Sequence, residues 1–150
     1  MPNKGSILKG ESIVAFENPS RTEIKEILAS KKRIAVVGLS DNPERTSYMV
    51  SQAMQKEGYE IIPVNPKAES ILGVKAVGSL SEIEGHVDIV NVFRRSEFLP
   101  DIAKEAAVIQ ADVFWAQLGL YNEEAWKIAE EAGMTVIMDR CIKVEHALTK

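Results

Sequence analysis

Ten consecutive residues, Gly38-Leu-Ser-Asp-Asn-Pro-Glu-Arg-Thr-Ser47, put a glycine, the hydroxyls of Ser40, Thr46 and Ser47 and the guanidinium of Arg45 directly behind the apolar run Ile34–Val37. A glycine after a strand permits a tight turn that turns backbone N–H groups outward, and a helix opening beyond it favours an anion at its N-terminus. The chemistry this suits is phosphate binding. The dinucleotide fingerprint G-x-G-x-x-G is not met, because only its first glycine is present. Read plainly, the segment is a strand-to-helix connection, and the nucleotide reading adds fold-level analogy to it.

Asn65-Pro66-Lys67 follows the next apolar run. A domain that binds NAD usually carries an acid at that place, where it bonds the ribose 2′-hydroxyl. A neutral amide, a proline and a lysine argue against NAD and suit a phosphorylated ribose, as in NADP or coenzyme A. The plainer alternative is a surface turn with a solvated lysine. Phe93-Arg94-Arg95 stands behind a third apolar run. Arginine planes stack on an adenine or fork onto phosphate, and a phenylalanine can wall the base. Gln117-Leu-Gly-Leu-Tyr121 offers an amide and an aromatic ring to the middle of a long ligand. Tyr121 could supply a proton, but no partner base accompanies it.

Asp139-Arg140-Cys141-Ile-Lys143 carries the single thiol. Neighbouring cations could stabilise a thiolate there, but a small buried residue opening a helix is the plainer reading. His86 and His146 are in no metal-ligand spacing, and no P-loop, H-E-x-x-H or C-x-x-C pair occurs. No metal site and no catalytic residue is expected from these patterns.

The elements that must position these groups follow from periodicity. Ser20-Arg-Thr-Glu23 has capping-box spacing, and Ile24, Ile27 and Leu28 mark one face of a helix over 21–30. Strands are expected over 33–38, 59–64, 87–93, 113–116 and 135–139, each apolar enough to be buried on both faces. Helices are expected from Thr46 or Ser47 to Gly58, over 97–110 with Ser96 as cap and Pro100 in the first turn, from Asn122 to Gly133, and over 142–148. Residues 68–78 are ambiguous, with a short strand over 74–76, and one helical turn is expected over 79–83. This alternation predicts an α/β fold of Rossmann-like, three-layer α/β/α architecture, with a mainly parallel sheet of about five strands. In such sheets ligands bind beyond the carboxyl ends of the strands, where the strand order switches. Every segment considered above lies at such an end.

Composition narrows the classes further. The chain has 150 residues, enough for one domain with a substantial core, preceded by an N-terminal arm over residues 1–20. A net charge of −4 argues against general nucleic-acid binding. No apolar run approaches the roughly 20 residues that span a bilayer, and no signal-peptide core follows Met1. With one cysteine there is no intrachain disulfide, and a cytoplasmic location is expected.

Five segments together resemble the small stand-alone CoA-binding proteins, which are similar to the N-terminal CoA-binding domain of the succinyl-CoA ligase alpha subunit. They are Val36-Val-Gly-Leu-Ser-Asp-Asn-Pro43, Pro63-Val-Asn-Pro66, Val87-Asp-Ile-Val-Asn-Val-Phe-Arg-Arg95, Trp115-Ala-Gln-Leu-Gly119 and Met138-Asp-Arg-Cys-Ile-Lys143. Any one of them is weak; together they cover about residues 20–148. The resemblance implies a CoA site along the strand ends of a 21–150 domain. Gly38, Ser40, Arg45 and Ser47 would meet phosphate and pantetheine, and Asn65, Pro66 and Lys67 the 3′-phosphorylated adenosine. Phe93 and Arg94 would flank adenine, with softer roles for Arg95 and Gln117. The ligase also has a second domain with a phosphorylated histidine and a nucleotide-binding partner subunit. This chain ends at Lys150, so the expectation is binding of CoA or an acyl-CoA without catalytic machinery of its own. A small NADP-dependent oxidoreductase, and an interaction protein with a vestigial pocket, stand as alternatives. A homodimer or an unidentified protein partner is left open.

Overall fold

The computed structural model describes residues 15–150 and, before them, the backbone of two short antiparallel strands, β1 (Ile7–Leu8) and β2 (Glu11–Ser12). The expected arm over 1–20 therefore lies largely outside the described residues. Its last part returns to the domain. Phe16 packs edge-on against Trp126 at 5.4 Å. The Asn18 side-chain amide makes two 2.9 Å bonds to the backbone of Met138, accepting from its N–H and donating to its carbonyl.

Helix α1 (Arg21–Ser30) opens as its capping spacing predicts, with the Ser20 hydroxyl accepting from Glu23 N at 3.2 Å. The chain then runs β3 (Arg33–Val37), α2 (Thr46–Lys56), β4 (Glu60–Val64), a hairpin of β5 (Ser70–Ile71) and β6 (Val74–Lys75), β7 (Ile89–Val92), α3 (Leu99–Val108), β8 (Val113–Ala116), α4 (Glu123–Glu131), β9 (Thr135–Ile137) and α5 (Ile142–Thr149). Strands β4-β3-β7-β8-β9 form one five-stranded parallel sheet in that order. The chain leaves β3 for β4 on one side and then crosses to β7 on the other, so the order reverses between β3 and β7.

Alternation along each strand feeds two apolar layers. Ala35, Val37, Val90, Val92, Phe114 and Ala116 pack under α3 and α4, while Ile34, Val36, Ile89, Val113 and Trp115 pack under α1, α2 and α5. Both sheet faces are thus buried, as continuous apolar strands require. This is the expected Rossmann-like α/β/α architecture.

The local differences have clear causes. Neither Thr46 nor Ser47 caps α2; Arg45 holds the cap position without a side-chain bond, and the Ser47 hydroxyl instead accepts from Ser40 N at 3.0 Å. Ser96 does not cap α3 either. Its hydroxyl accepts from Tyr121 N at 3.1 Å, and a 3-10 turn over Ser96–Phe98 precedes the helix proper. In both cases a loop across the strand ends takes the hydroxyl from the helix. The ambiguous stretch 68–78 contains a two-residue hairpin, after which Val77 forms a single parallel bridge to Val64.

At the opposite, amino ends of the strands the loops are held by charge. Asp88 Oδ2 accepts from the backbone N–H groups of Lys32 and Arg33, both at 3.0 Å. Asp112 accepts from Lys31 Nζ at 3.0 Å and meets His86 Nε2 at 3.0 Å. Burial by itself raises the pKa of Asp112, but the hydrogen bonds from His86 and Lys31 outweigh it and hold the carboxyl below its ordinary 3.8. A carboxyl whose pKa is lower folded than unfolded contributes stability above its unfolded value and loses it as pH falls through the folded value. Asp112→Asn should therefore be less stable than the wild type at neutral pH. The gap should narrow as acid takes the pH below 3.8, which urea-unfolding midpoints measured down the pH scale would show.

Candidate functional site

The β3–β7 reversal opens a cleft of about 500 Å³ at the carboxyl ends of the strands. Gly38 sits at its floor with φ +87°, a conformation other residues rarely adopt. A Cβ there would lie 2.9 Å from the Phe93 carbonyl oxygen and 3.1 Å from Arg94 Cδ. The crevice can exist only because this residue has no side chain.

Beyond Gly38 the loop is braced from within. Ser40 Oγ accepts from Asn42 N at 3.0 Å, and Asn42 Oδ1 accepts from Glu44 N at 2.9 Å. The Ser40 hydroxyl thus keeps its own proton to donate. Helix α2 follows with no side-chain cap, so the first-turn N–H groups, which have no intrahelical partner, are not taken by a capping side chain. The Asn65 amide ties the end of β4 to this loop, donating to the Leu39 carbonyl at 2.9 Å and accepting from Lys67 N at 2.8 Å.

This cleft brings together Gly38, Ser40, Arg45, Asn65, Pro66, Lys67 and Arg94 from three separate strand ends. Arg45, Lys67 and Arg94 are exposed, and among the described residues none of them makes an ion pair. Arg94 lies over the Phe98 ring at 4.4 Å, which holds its guanidinium over the α3 turn. Glu105 is the acid on the same wall. Three uncompensated cations beside an uncapped helix start make the cleft suited to a polyanion.

A second cleft of about 410 Å³ adjoins the first through Arg94 and takes Phe93, Arg95 and Gln117, with Leu118, Leu120 and Cys141. It is more apolar in its walls. Gln117 is almost fully buried, and its Oε1 accepts from Ile142 N at 3.0 Å, so it also anchors the start of α5. Ser47 lines neither cleft; it is buried and positions the loop through Ser40. Arg95 is paired with Glu97 at 3.6 Å, with both side chains largely solvated.

The structure adds residues that pattern reading passed over. Gly78 and Ser79 reach the first cleft because Val77 bridges Val64; a Gly-Ser pair after an apolar residue was the available signal. Leu118 and Leu120 join the second cleft from the turn held by Asp139, whose Oδ1 accepts from Gly119 N at 2.6 Å and whose φ is +59°. A larger cleft, about 600 Å³, lies away from the reversal, between Phe16–Arg21 and Asp139–Glu145. Of its two cations, Arg21 is paired with the buried Glu145 at 3.2 Å and Arg140 donates to the Asp139 carbonyl at 2.7 Å, and Glu17, Asp139 and Glu145 line the same cleft.

Comparison with known proteins gives a consistent set of relatives. The model of the CoA binding domain family matches residues 32–147. The uncharacterized protein YneT of Bacillus subtilis is 67% identical over 135 residues, spanning 90% of this chain and all of that one. The alpha subunit of ADP-forming acetate–CoA ligase II of Pyrococcus furiosus is 30% identical over 122 residues, which cover 74% of this chain and 27% of the subunit. The chain thus spans about a quarter of that ligase subunit. A hypothetical protein from Pyrococcus horikoshii, of known structure, superposes with a TM-score of 0.85 at 34% identity, covering 91% of this chain and 99% of its own.

Proposed function

The chain belongs to the CoA binding domain family, and from that premise we propose that it binds CoA or an acyl-CoA across the carboxyl ends of the sheet. The phosphorylated adenosine occupies the first cleft, and the pantetheine runs past Arg94 so that its thiol or acyl end reaches the more apolar second cleft. Residues 21–150 act as the binding unit.

The observation that carries this reading is the set of three cations, Arg45, Lys67 and Arg94, around the glycine floor, none of which is ion-paired among the described residues. CoA presents a diphosphate and a separate 3′-phosphate, and the cations come from separate strand ends. Lys67, beyond β4, is assigned the 3′-phosphate. On this reading the chain holds the thioester carrier and presents it to another protein for any group transfer.

Isothermal titration with CoA and with dephospho-CoA tests this. A charge-assisted contact is worth about 1.5–3 kcal/mol, roughly 10- to 150-fold in affinity. Dephospho-CoA should bind weaker than CoA by that factor, and Lys67→Ala should bring the two ligands to equal affinity. Failure of both ligands to bind would remove the proposal. Preference for the dephosphorylated ligand would remove the role given to Lys67. NADPH, which also carries a ribose phosphate, is the competitor to include; tighter binding of NADPH than of CoA would favour the reductase alternative.

A further inference from the structure

The amino end of the sheet, opposite the clefts, carries a group of side chains that the ligand site does not use. Parallel pairing of β7 with β8 brings the loop before each strand side by side, Gly85-His86-Val87-Asp88 against Ala111-Asp112. His86 Nε2 lies 3.0 Å from Asp112 Oδ2 and 3.6 Å from Asp88 Oδ1, and one donor atom from each of the three residues falls within 4.8 Å of the others. We propose that His86, Asp88 and Asp112 form a binding site for a divalent transition-metal ion of the zinc class, remote from the CoA clefts.

The spacing is the first argument. Bonds of about 2.0–2.2 Å to nitrogen and oxygen on a tetrahedral ion put neighbouring donors about 3.3 Å apart. The two distances from His86 bracket that value, and the two carboxylate donors lie within 4.8 Å of each other, so closing the Asp88–Asp112 gap is the adjustment an ion requires.

Donor chemistry is the second. One imidazole with two carboxylates favours zinc, cobalt or nickel over magnesium or calcium, which prefer oxygen donors. His86 is 53% exposed in its side chain, which leaves the outer side of the site open to water as a further ligand.

The third argument is that the donors are held from behind. Both bonds to Asp88 Oδ2 come from backbone N–H groups of Lys32 and Arg33, which orients the carboxylate and leaves Oδ1 toward His86. The His86 carbonyl is fixed by Arg33 Nη1 at 2.8 Å, and the Asp112 backbone by its N–H bond to Asp88 O at 3.1 Å. Such outer contacts orient metal ligands and sharpen affinity. Lys31 Nζ, 3.0 Å from Asp112 Oδ2, is the cation an arriving ion must share or displace.

An ion here would clip the amino-end loops of β7 and β8 together. The full chain, treated with chelator and desalted, is titrated with zinc chloride by calorimetry and melted with and without zinc. Cys141→Ser, which removes the one thiol, serves as the background against binding elsewhere. One ion per chain and a raised Tm are expected in the wild type and in Cys141→Ser. His86→Ala and Asp112→Asn, checked for folding by circular dichroism, should bind more than about tenfold weaker. Lys31→Ala, which removes the competing ammonium, should bind at least as tightly as the wild type. Absence of binding in the wild type, unchanged binding in His86→Ala, loss of binding in Cys141→Ser, or weaker binding in Lys31→Ala overturns the proposal. CoA titration of His86→Ala, Asp112→Asn and Lys31→Ala, none of which lines either cleft, is expected to be unchanged, so the two sites succeed or fail separately.

Discussion

Gly38→Ala is expected to lower the stability of the fold by at least about 1–3 kcal/mol, the usual cost of forcing a side chain into a left-handed backbone conformation. It should also abolish measurable CoA binding. The two effects share one cause. With φ at +87°, an alanine is strained whatever space surrounds it, and here its methyl would stand 2.9 Å from the Phe93 carbonyl. That carbonyl belongs to the backbone following β7, which cannot rotate aside as a side chain would. Relief requires β3 and β7 to part at the point where the strand order reverses, and the cleft between them is the one proposed to hold the ligand. Denaturant unfolding and CoA calorimetry on the purified variant check this. Wild-type affinity in a folded alanine variant would mean that the ligand does not depend on this crevice.

Trp115→Ala should be the more damaging change to the fold, costing about 3–5 kcal/mol as large-to-small core replacements of this type do. The indole is fully buried under α1, α2 and α5, and its Nε1–H donates to the Arg140 carbonyl at 2.9 Å. It therefore fills the layer and fastens the segment that carries Cys141 into the second cleft. Trp115→Phe separates the two roles. Most of the ring remains, while the Arg140 carbonyl loses its donor, for a cost of about 1–3 kcal/mol. Denaturant midpoints of the two variants should fall in that order. Equal loss in both would place the whole effect in the hydrogen bond and none in packing.

Much of the architecture is legible in the chain because it is written locally. Ser20 and Glu23 set the start of α1, Asn122 caps α4 through Ala125 N at 2.9 Å, and the apolar runs announce all five strands of the sheet. The rim positions at 38–45, 65–67 and 93–95 follow from knowing that ligands gather at the carboxyl ends of parallel strands. What resists reading is what depends on residues far apart. Ser47 and Ser96 carry good capping side chains, yet Ser40 and Tyr121 claim their oxygens through the tertiary fold. Val77, Gly78 and Ser79 have no periodicity of their own; one bridge to Val64 brings them to the cleft. His86 shows no ligand spacing along the chain, because its partner Asp112 is 26 positions away and is delivered by the pairing of β7 with β8.

The amide of Asn18 has a meaning beyond its two bonds to Met138. Strand β9 is the last of the sheet, and a last strand leaves peptide groups available to any extended chain that comes near. Asn18 offers Met138 what a neighbouring peptide unit would offer, one N–H and one C=O, but it does so from the tip of a side chain. A side chain has no next residue along which pairing could spread. At that position the sheet ends in a stopper shaped like a peptide, and a sixth strand finds the first rung of its ladder already taken.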